Sequence, residues 1–143
     1  MKKLIFLHIP KCGGSTIRDK IIQRYSAAGR VFKLYNDNPR QDYYTPRTLT
    51  KFLAENEELP KTVKSIIGHI SFEELSLLID MKGWEIFSVV RDPIDRAISN
   101  LNYMRINQNH RGNSHAMKVT ENSLYSYLCS LDGALQSKFL GGG

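Results

Sequence analysis

The stretch Phe6-Leu7-His8-Ile9-Pro10-Lys11-Cys12-Gly13-Gly14-Ser15-Thr16-Ile17 decides how the rest of the chain is read. Leu4 to Ile9 is an apolar run of strand length that breaks at Pro10. Two glycines follow, and Ile17, Ile21, Ile22 and Tyr25 then recur at helical spacing. A strand, a tight glycine turn and a helix start carrying Ser15 and Thr16 make a cradle for a phosphate. The N–H groups of a first helical turn have no carbonyl partners of their own, and the helix dipole adds positive potential there. Glycine lets the backbone come close to a ligand, Lys11 brings a full charge, and the two hydroxyls donate further bonds. A plain strand-to-helix turn that happens to carry a lysine is the alternative for this stretch taken alone.

The loop does not follow the ATPase pattern G-x-x-x-x-G-K-[ST], because Lys11 precedes both glycines and the turn is shorter. Elsewhere the chain is ordinary in composition. Its 143 residues suit one domain with a real core, and 41% hydrophobic and 24% charged residues suit a soluble globular protein. A formal charge of +6 favours an anionic ligand or substrate without naming it. No basic run or RNA-binding aromatic signature occurs, so nucleic acid is not expected as a partner. Cys12 and Cys129 are far apart and outside any zinc-ligand spacing, which argues against a disulfide framework or a metal site. Cys12, beside Lys11 and a helix start, is expected to have a lowered pKa, but no base is placed to make it a nucleophile. No signal peptide and no apolar span of about 20 residues is present, so a cytoplasmic protein without a membrane span is expected.

Strands and helices alternate along the chain. Val31–Tyr35, Val63–Ile67 and Trp84–Val90 read as further strands. A helix is predicted from Thr45-Pro46 through Leu49, Phe52 and Leu53, ahead of Pro60. Another begins at Ser71, whose spacing to Glu74 is that of a capping box, packs Phe72, Leu75, Leu78 and Ile79, and ends near Gly83. Asp92 caps a third, with Pro93 in its first turn and Ile94, Ala97, Ile98, Leu101 and Met104 at helical period. A last helix is predicted over about Ser123–Leu131, and Asn36–Tyr44 and Asn107–His115 read as polar loops. The pattern predicts an α/β fold, a three-layer sandwich with a central parallel sheet, in one domain over 1–143. Right-handed crossovers would put every strand's carboxyl end on one edge, where ligands bind.

Two further constellations fall on that edge. Arg91-Asp92-Pro93-Ile94-Asp95-Arg96-Ala97-Ile98-Ser99 places an arginine at a strand end and a serine about two turns into a helix, a pair able to hold a second phosphate. Read plainly, it is a capped helix start with a solvated basic face. Gly68-His69-Ile70-Ser71-Phe72 puts His69 directly after a buried strand, where a neutral imidazole could take a proton from a hydroxyl. Glu73 and Glu74 are alternative bases, although Glu74 already has the capping task, and a histidine bonded to a nearby carbonyl is the plain reading. His8, inside the first strand, reads as structural, and His110 and His115 are not a metal pair because no third ligand is near.

The order Pro10-Lys11-x-Gly13-Gly14-Ser15-Thr16 resembles the 5′-phosphosulfate loop of sulfotransferases that use 3′-phosphoadenosine 5′-phosphosulfate (PAPS), most closely the carbohydrate branch. The R-D-P-x-x-R-x-x-S run from Arg91 to Ser99 is similar to that family's 3′-phosphate motif, and Gly68-His69-x-x-Phe72 looks like the segment that supplies the base. The tail Gln136-Ser137-Lys138-Phe139-Leu140-Gly141 is also similar. The resemblance implies a P-loop nucleotide-hydrolase-like fold and transfer of a sulfuryl group from PAPS to a hydroxyl acceptor, a carbohydrate, without a metal. It implies that Lys11 and His69 are catalytic, and that Lys11, Cys12, Gly13, Gly14, Ser15, Thr16, Arg91 and Ser99 bind the nucleotide. Arg96 matches a recurrent basic position that could be structural. Family members continue beyond the point where this chain stops, so a usual C-terminal portion is expected to be missing. Two other readings stay open: a P-loop kinase or nucleotide hydrolase, and a catalytically idle nucleotide- or glycan-binding module. The acceptor is unnamed by sequence, with Tyr43, Tyr44 and the 107–115 loop as candidates to touch it.

Overall fold

The structure is a computed structural model that describes residues 2–26, 31–35, 50, 53–55, 59–106, 123, 126 and 135–141. Its frame is four strands: β1 (Lys3–Leu7), β2 (Val31–Leu34), β3 (Ser65–Gly68) and β4 (Trp84–Ser88). The helices are α1 (Ser15–Tyr25), α2 (Phe72–Leu78), α3 (Pro93–Ile106) and α4 (Leu135–Phe139). The strands form one sheet in the order β2-β3-β1-β4, and every pairing is parallel. Near-continuous apolar runs such as Leu4–Leu7 and Ile66–Ile67 belong in such a sheet, because both of its faces must be covered.

Alternation along the strands divides the core in two. Ile5, Leu7, Phe32, Leu34 and Ile66 point to one face, where Leu75 of α2 packs on them. Phe6 and Ile67 point to the other, under Ile21 and Tyr25 of α1. Helices therefore cover both faces, which makes the three layers the sequence predicts. The crossover after β1 runs to β2 over one face and the crossover after β3 runs to β4 over the other. Adjacent β1 and β3 thus send their loops apart, and the gap between those loops is where such sheets bind ligands.

The elements are shorter than predicted. Beyond Leu7 the chain turns, with Ile9 N bonding back to Leu7 O at 3.1 Å, and Val63 belongs to a turn in which its amide bonds Pro60 O at 2.8 Å. β2 stops at Leu34 and β4 at Ser88. α2 ends at Leu78, since Ile79 is already extended and packs against the core in that form. Its capping box is as read: Ser71 Oγ accepts from Glu74 N, and Glu74 Oε2 accepts from Ser71 N. In α3 the buried face is Arg96, Ala97 and Leu101, while Ile94 and Ile98 of the predicted apolar stripe are exposed. Described residues 50 and 53–55 are helical where the Thr45 helix is predicted, as are 123 and 126 within the predicted last helix. The rest of those two segments, the loops 36–44 and 107–115, and the Ala27-Ala28-Gly29 helix stop lie outside the described residues.

Candidate functional site at the carboxyl edge of the sheet

The loop after β1 owes its shape to three backbone choices. Lys11 and Gly13 both adopt left-handed conformations, with φ of 66° and 81°, and so reverse the chain sharply after Pro10. Gly14 then sits on the His8 ring, where a Cβ would lie 2.7 Å from His8 Cδ2 and 2.9 Å from Phe6 Cζ. Only glycine fits there without displacing two buried rings. The first intrahelical bond of α1 runs from Arg18 N to Gly14 O at 2.8 Å, so the amides before it are not used by the helix ladder. Ser15 and Thr16 are exposed at that end, as a phosphate cradle requires.

Beneath the loop lies a cluster of rings. His8 is buried, stacks on Phe6, and meets the Tyr35 hydroxyl through Nδ1 at 3.0 Å. His69 is half-buried, and its ring centroid lies 5.0 Å from that of His8 and 4.7 Å from that of Tyr35. The His69 amide is fixed by a 2.7 Å bond to Leu34 O, and Gly68 permits this approach: a Cβ there would stand 2.0 Å from the same carbonyl oxygen. Burial, with smaller contributions from His69 and Arg18, lowers the His8 pKa from 6.5 to about 4. His8 therefore stays neutral at pH 7, which fits the structural role read from its place in the first strand. Tyr35 carries no signal in the sequence beyond that of a strand end.

On the other side of the loop, Arg91 is exposed just past β4. Asp92 Oδ1 caps α3 by accepting from Ile94 N at 2.9 Å and Asp95 N at 3.1 Å. Arg96, Ser99 and Tyr103 follow at spacings of three and four, and hence share one side of the helix. That side is turned to the loop: Lys11 Nζ lies 4.2 Å from the Tyr103 ring centroid, and the charge of Arg96 acts on the Cys12 thiol. Tyr103 was legible from that spacing, one turn past Ser99.

Three cations, Lys11, Arg91 and Arg96, belong to the rim, where Asp92 is engaged as the α3 cap. Arg96 is only 7% exposed, and its Nε has no hydrogen-bond partner among the described residues. The ion pairs among those residues are Lys2 with Glu85 and Arg18 with Asp19, and neither involves Lys11, Arg91 or Arg96. Partial burial and the nearby Arg91 push the Lys11 pKa down. A buried arginine without an acid is costly, and three crowded cations call for an anion. For Cys12 the sequence expectation fails: burial raises its pKa, outweighing Arg96 and Arg91. The thiol is covered and points at Gln136 Oε1, 3.4 Å away.

Lys11, Cys12, Gly13, Gly14, Ser15 and Thr16 are thus brought together after the central strand, with His69 at the end of one neighbour and Arg91 and Ser99 beyond the other. Tyr43, Tyr44, His110, His115 and Cys129 lie outside the described residues. Among the described residues no group of histidine, cysteine or carboxylate side chains is arranged to hold a metal, and no helix is long and apolar enough to cross a membrane.

A parallel α/β sheet whose central strand feeds a glycine loop, beside cations that have no acid partner among the described residues, is suited to holding an anion. Residues 1–132 match the sulfotransferase family. The chain belongs to that family, whose chemistry is transfer of a sulfuryl group. No curated protein and no solved structure matches it.

Proposed function

We propose that the protein transfers a sulfuryl group from PAPS to a hydroxyl of a carbohydrate. The observation that carries this reading is the set of cations at the rim: Lys11 in the loop, with Arg91 and Arg96 across from it and no acid paired to them among the described residues. Cations drawn from two segments, the loop after β1 and the start of α3, suit a ligand with a phosphate at each end. PAPS, when bound, supplies the sulfuryl group and leaves as adenosine 3′,5′-bisphosphate.

The chain's own residues then have distinct tasks. The amides of the first turn of α1 and the hydroxyls of Ser15 and Thr16 hold the 5′-phosphate, with Gly13 and Gly14 allowing close approach. Lys11 is the group for the oxygen that bridges phosphate and sulfate, where negative charge grows as the bond breaks. Arg91 and Ser99 anchor the 3′-phosphate and orient the nucleotide. His69 takes the proton of the acceptor hydroxyl, with Glu74 already committed to Ser71 and His8 held by Tyr35. Cys12 contributes its backbone to the loop, its thiol being turned to Gln136.

The test is incubation with PAPS and a panel of carbohydrates, with released adenosine 3′,5′-bisphosphate and sulfated product followed by mass spectrometry. The reading predicts both products in equal amounts, and a loss of about 10²–10⁴-fold in rate for His69→Ala with nucleotide affinity retained. Nucleotide binding without any sulfated product would favour the idle binding module instead.

A further inference from the structure

The described C-terminal segment, 135–141, reaches all three segments that carry the site. Gln136 of α4 meets two of them. Its Oε1 accepts from Arg91 N at 2.9 Å, and its Nε2 donates to Arg91 O at 2.8 Å. One side-chain amide therefore satisfies both peptide groups of a single residue, as a neighbouring strand would. The same Oε1 accepts the Cys12 thiol proton at 3.4 Å. Five residues on, Gly141, with φ of +83°, passes so close to Phe72 that a Cβ would lie 3.2 Å from its ring. Phe72 begins the helix after His69, and it is exposed rather than packed in the core as the sequence predicts.

Arg91 needs such a support. The ladder between β1 and β4 ends at Ser88, three residues earlier, so the sheet does not hold the Arg91 backbone in place. The loop residue Cys12, by contrast, is buried. The Cys12 thiol meets the Arg91 backbone directly, and Gln136 ties the two together with bonds to the thiol and to both Arg91 backbone groups. Cys12 serves as the fixed end because it is buried, and its thiol, which burial keeps protonated, donates to Gln136 Oε1.

We propose that Gln136 is a positioning residue that sets the distance between the phosphate loop and Arg91, and so gives the site its selectivity for a ligand phosphorylated at both ends. The assignment of that ligand rests on the PAPS reading. Gln136 itself touches neither phosphate. It acts through the backbone of Arg91.

Calorimetric titration of adenosine 3′,5′-bisphosphate and of adenosine 5′-phosphate into wild type, Gln136→Ala, Gln136→Met and Arg91→Ala tests this. The quantity read is the ratio of the two affinities, with melting temperature as the folding control. Gln136→Met keeps the side-chain bulk but makes none of the three bonds, so it separates positioning from packing. Both Gln136 variants should lose about tenfold in the ratio, the effect of two net hydrogen bonds, while affinity for adenosine 5′-phosphate changes less than threefold. Arg91→Ala should abolish the ratio. A Gln136→Met protein that melts lower but keeps the wild-type ratio would have lost only an anchor for α4, and the positioning role would be overturned. A wild type that gains nothing from the 3′-phosphate would overturn the PAPS reading, and with it this role for Gln136.

Discussion

On one side of β1 lies β3, buried at each of its four positions; on the other lies β4, half-buried at best, with Ile86 exposed in it and Val90 and Ile94 exposed just beyond. The candidate base and the candidate 3′-phosphate residues stand on these two unequal flanks. His69 follows β3 immediately, and its amide is tied to Leu34 O across the sheet. Arg91 has left the sheet and is held by the side chain of Gln136. On the β3 side the geometry of the site comes from close packing, and on the β4 side from a few hydrogen bonds. The candidate base thus stands on the core, and the candidate nucleotide anchor on its margin. Substitutions on the first flank should cost stability, and those on the second should cost binding.

The sharpest way to break this contrast is Gly68→Ala. Its Cβ would lie 2.0 Å from Leu34 O and 2.5 Å from Leu34 Cβ, a clash with backbone that the strands cannot relieve. A loss of about 3 kcal/mol or more is expected in denaturant unfolding, because this overpacks the centre of the sheet. A variant as stable as wild type would show that the β2–β3 flank is not rigid.

Acid should act on the same flank. His8 is neutral in the folded protein down to about pH 4, whereas its unfolded value is 6.5. Between those values the unfolded chain binds more protons, so stability is complete above about pH 6.5 and is lost as pH falls towards 4. The full span corresponds to about 3 kcal/mol. His69 and Arg18 face the ring and oppose its protonation, and Asp19 favours it. Unfolding free energies measured across this range should slope in wild type and flatten in His8→Phe. An equal slope in both would assign the effect to other groups.

Gly14→Ala carries the contrast into the loop. Its Cβ would press on the rings of His8 and Phe6, so a loss of about 1–3 kcal/mol is expected, together with weakened phosphate binding in titration. On the β4 flank the effects shrink. Asp92→Ala removes the bonds to Ile94 N and Asp95 N and should cost about 1 kcal/mol. Ile94→Ala, at a residue 60% exposed, should stay within about 0.5 kcal/mol in the same denaturant assay. A large effect there would mean that the flank is covered in solution.

The parts of this account that were legible in the sequence are local. Apolar runs closed by Gly13-Gly14 and Gly68 announce the parallel strands, and Ser71 with Glu74 announces one helix start and Asp92 with Pro93 another, each from residues within one turn. The ring cluster and the Gln136 contacts are not local. His8 and Tyr35 are 27 positions apart, and Cys12 and Gln136 are 124 apart, so neither pairing leaves a trace in spacing. The Cys12 thiol was misjudged for a related reason: its neighbours in sequence are a cation and a helix start, but burial by the fold outweighs both. The predicted apolar stripe of α3 fails at Ile94 and Ile98, which are exposed, while Arg96 takes a place on the buried face.

A rim of this kind should bind a nucleotide carrying phosphates at both ends. This is tested most directly by calorimetric titration of adenosine 3′,5′-bisphosphate against ADP, each with magnesium and with EDTA, on wild type and Arg91→Ala. The account predicts a preference for the bisphosphate that survives EDTA and disappears in the variant. A magnesium-dependent preference for ADP would contradict it and favour a kinase or nucleotide hydrolase.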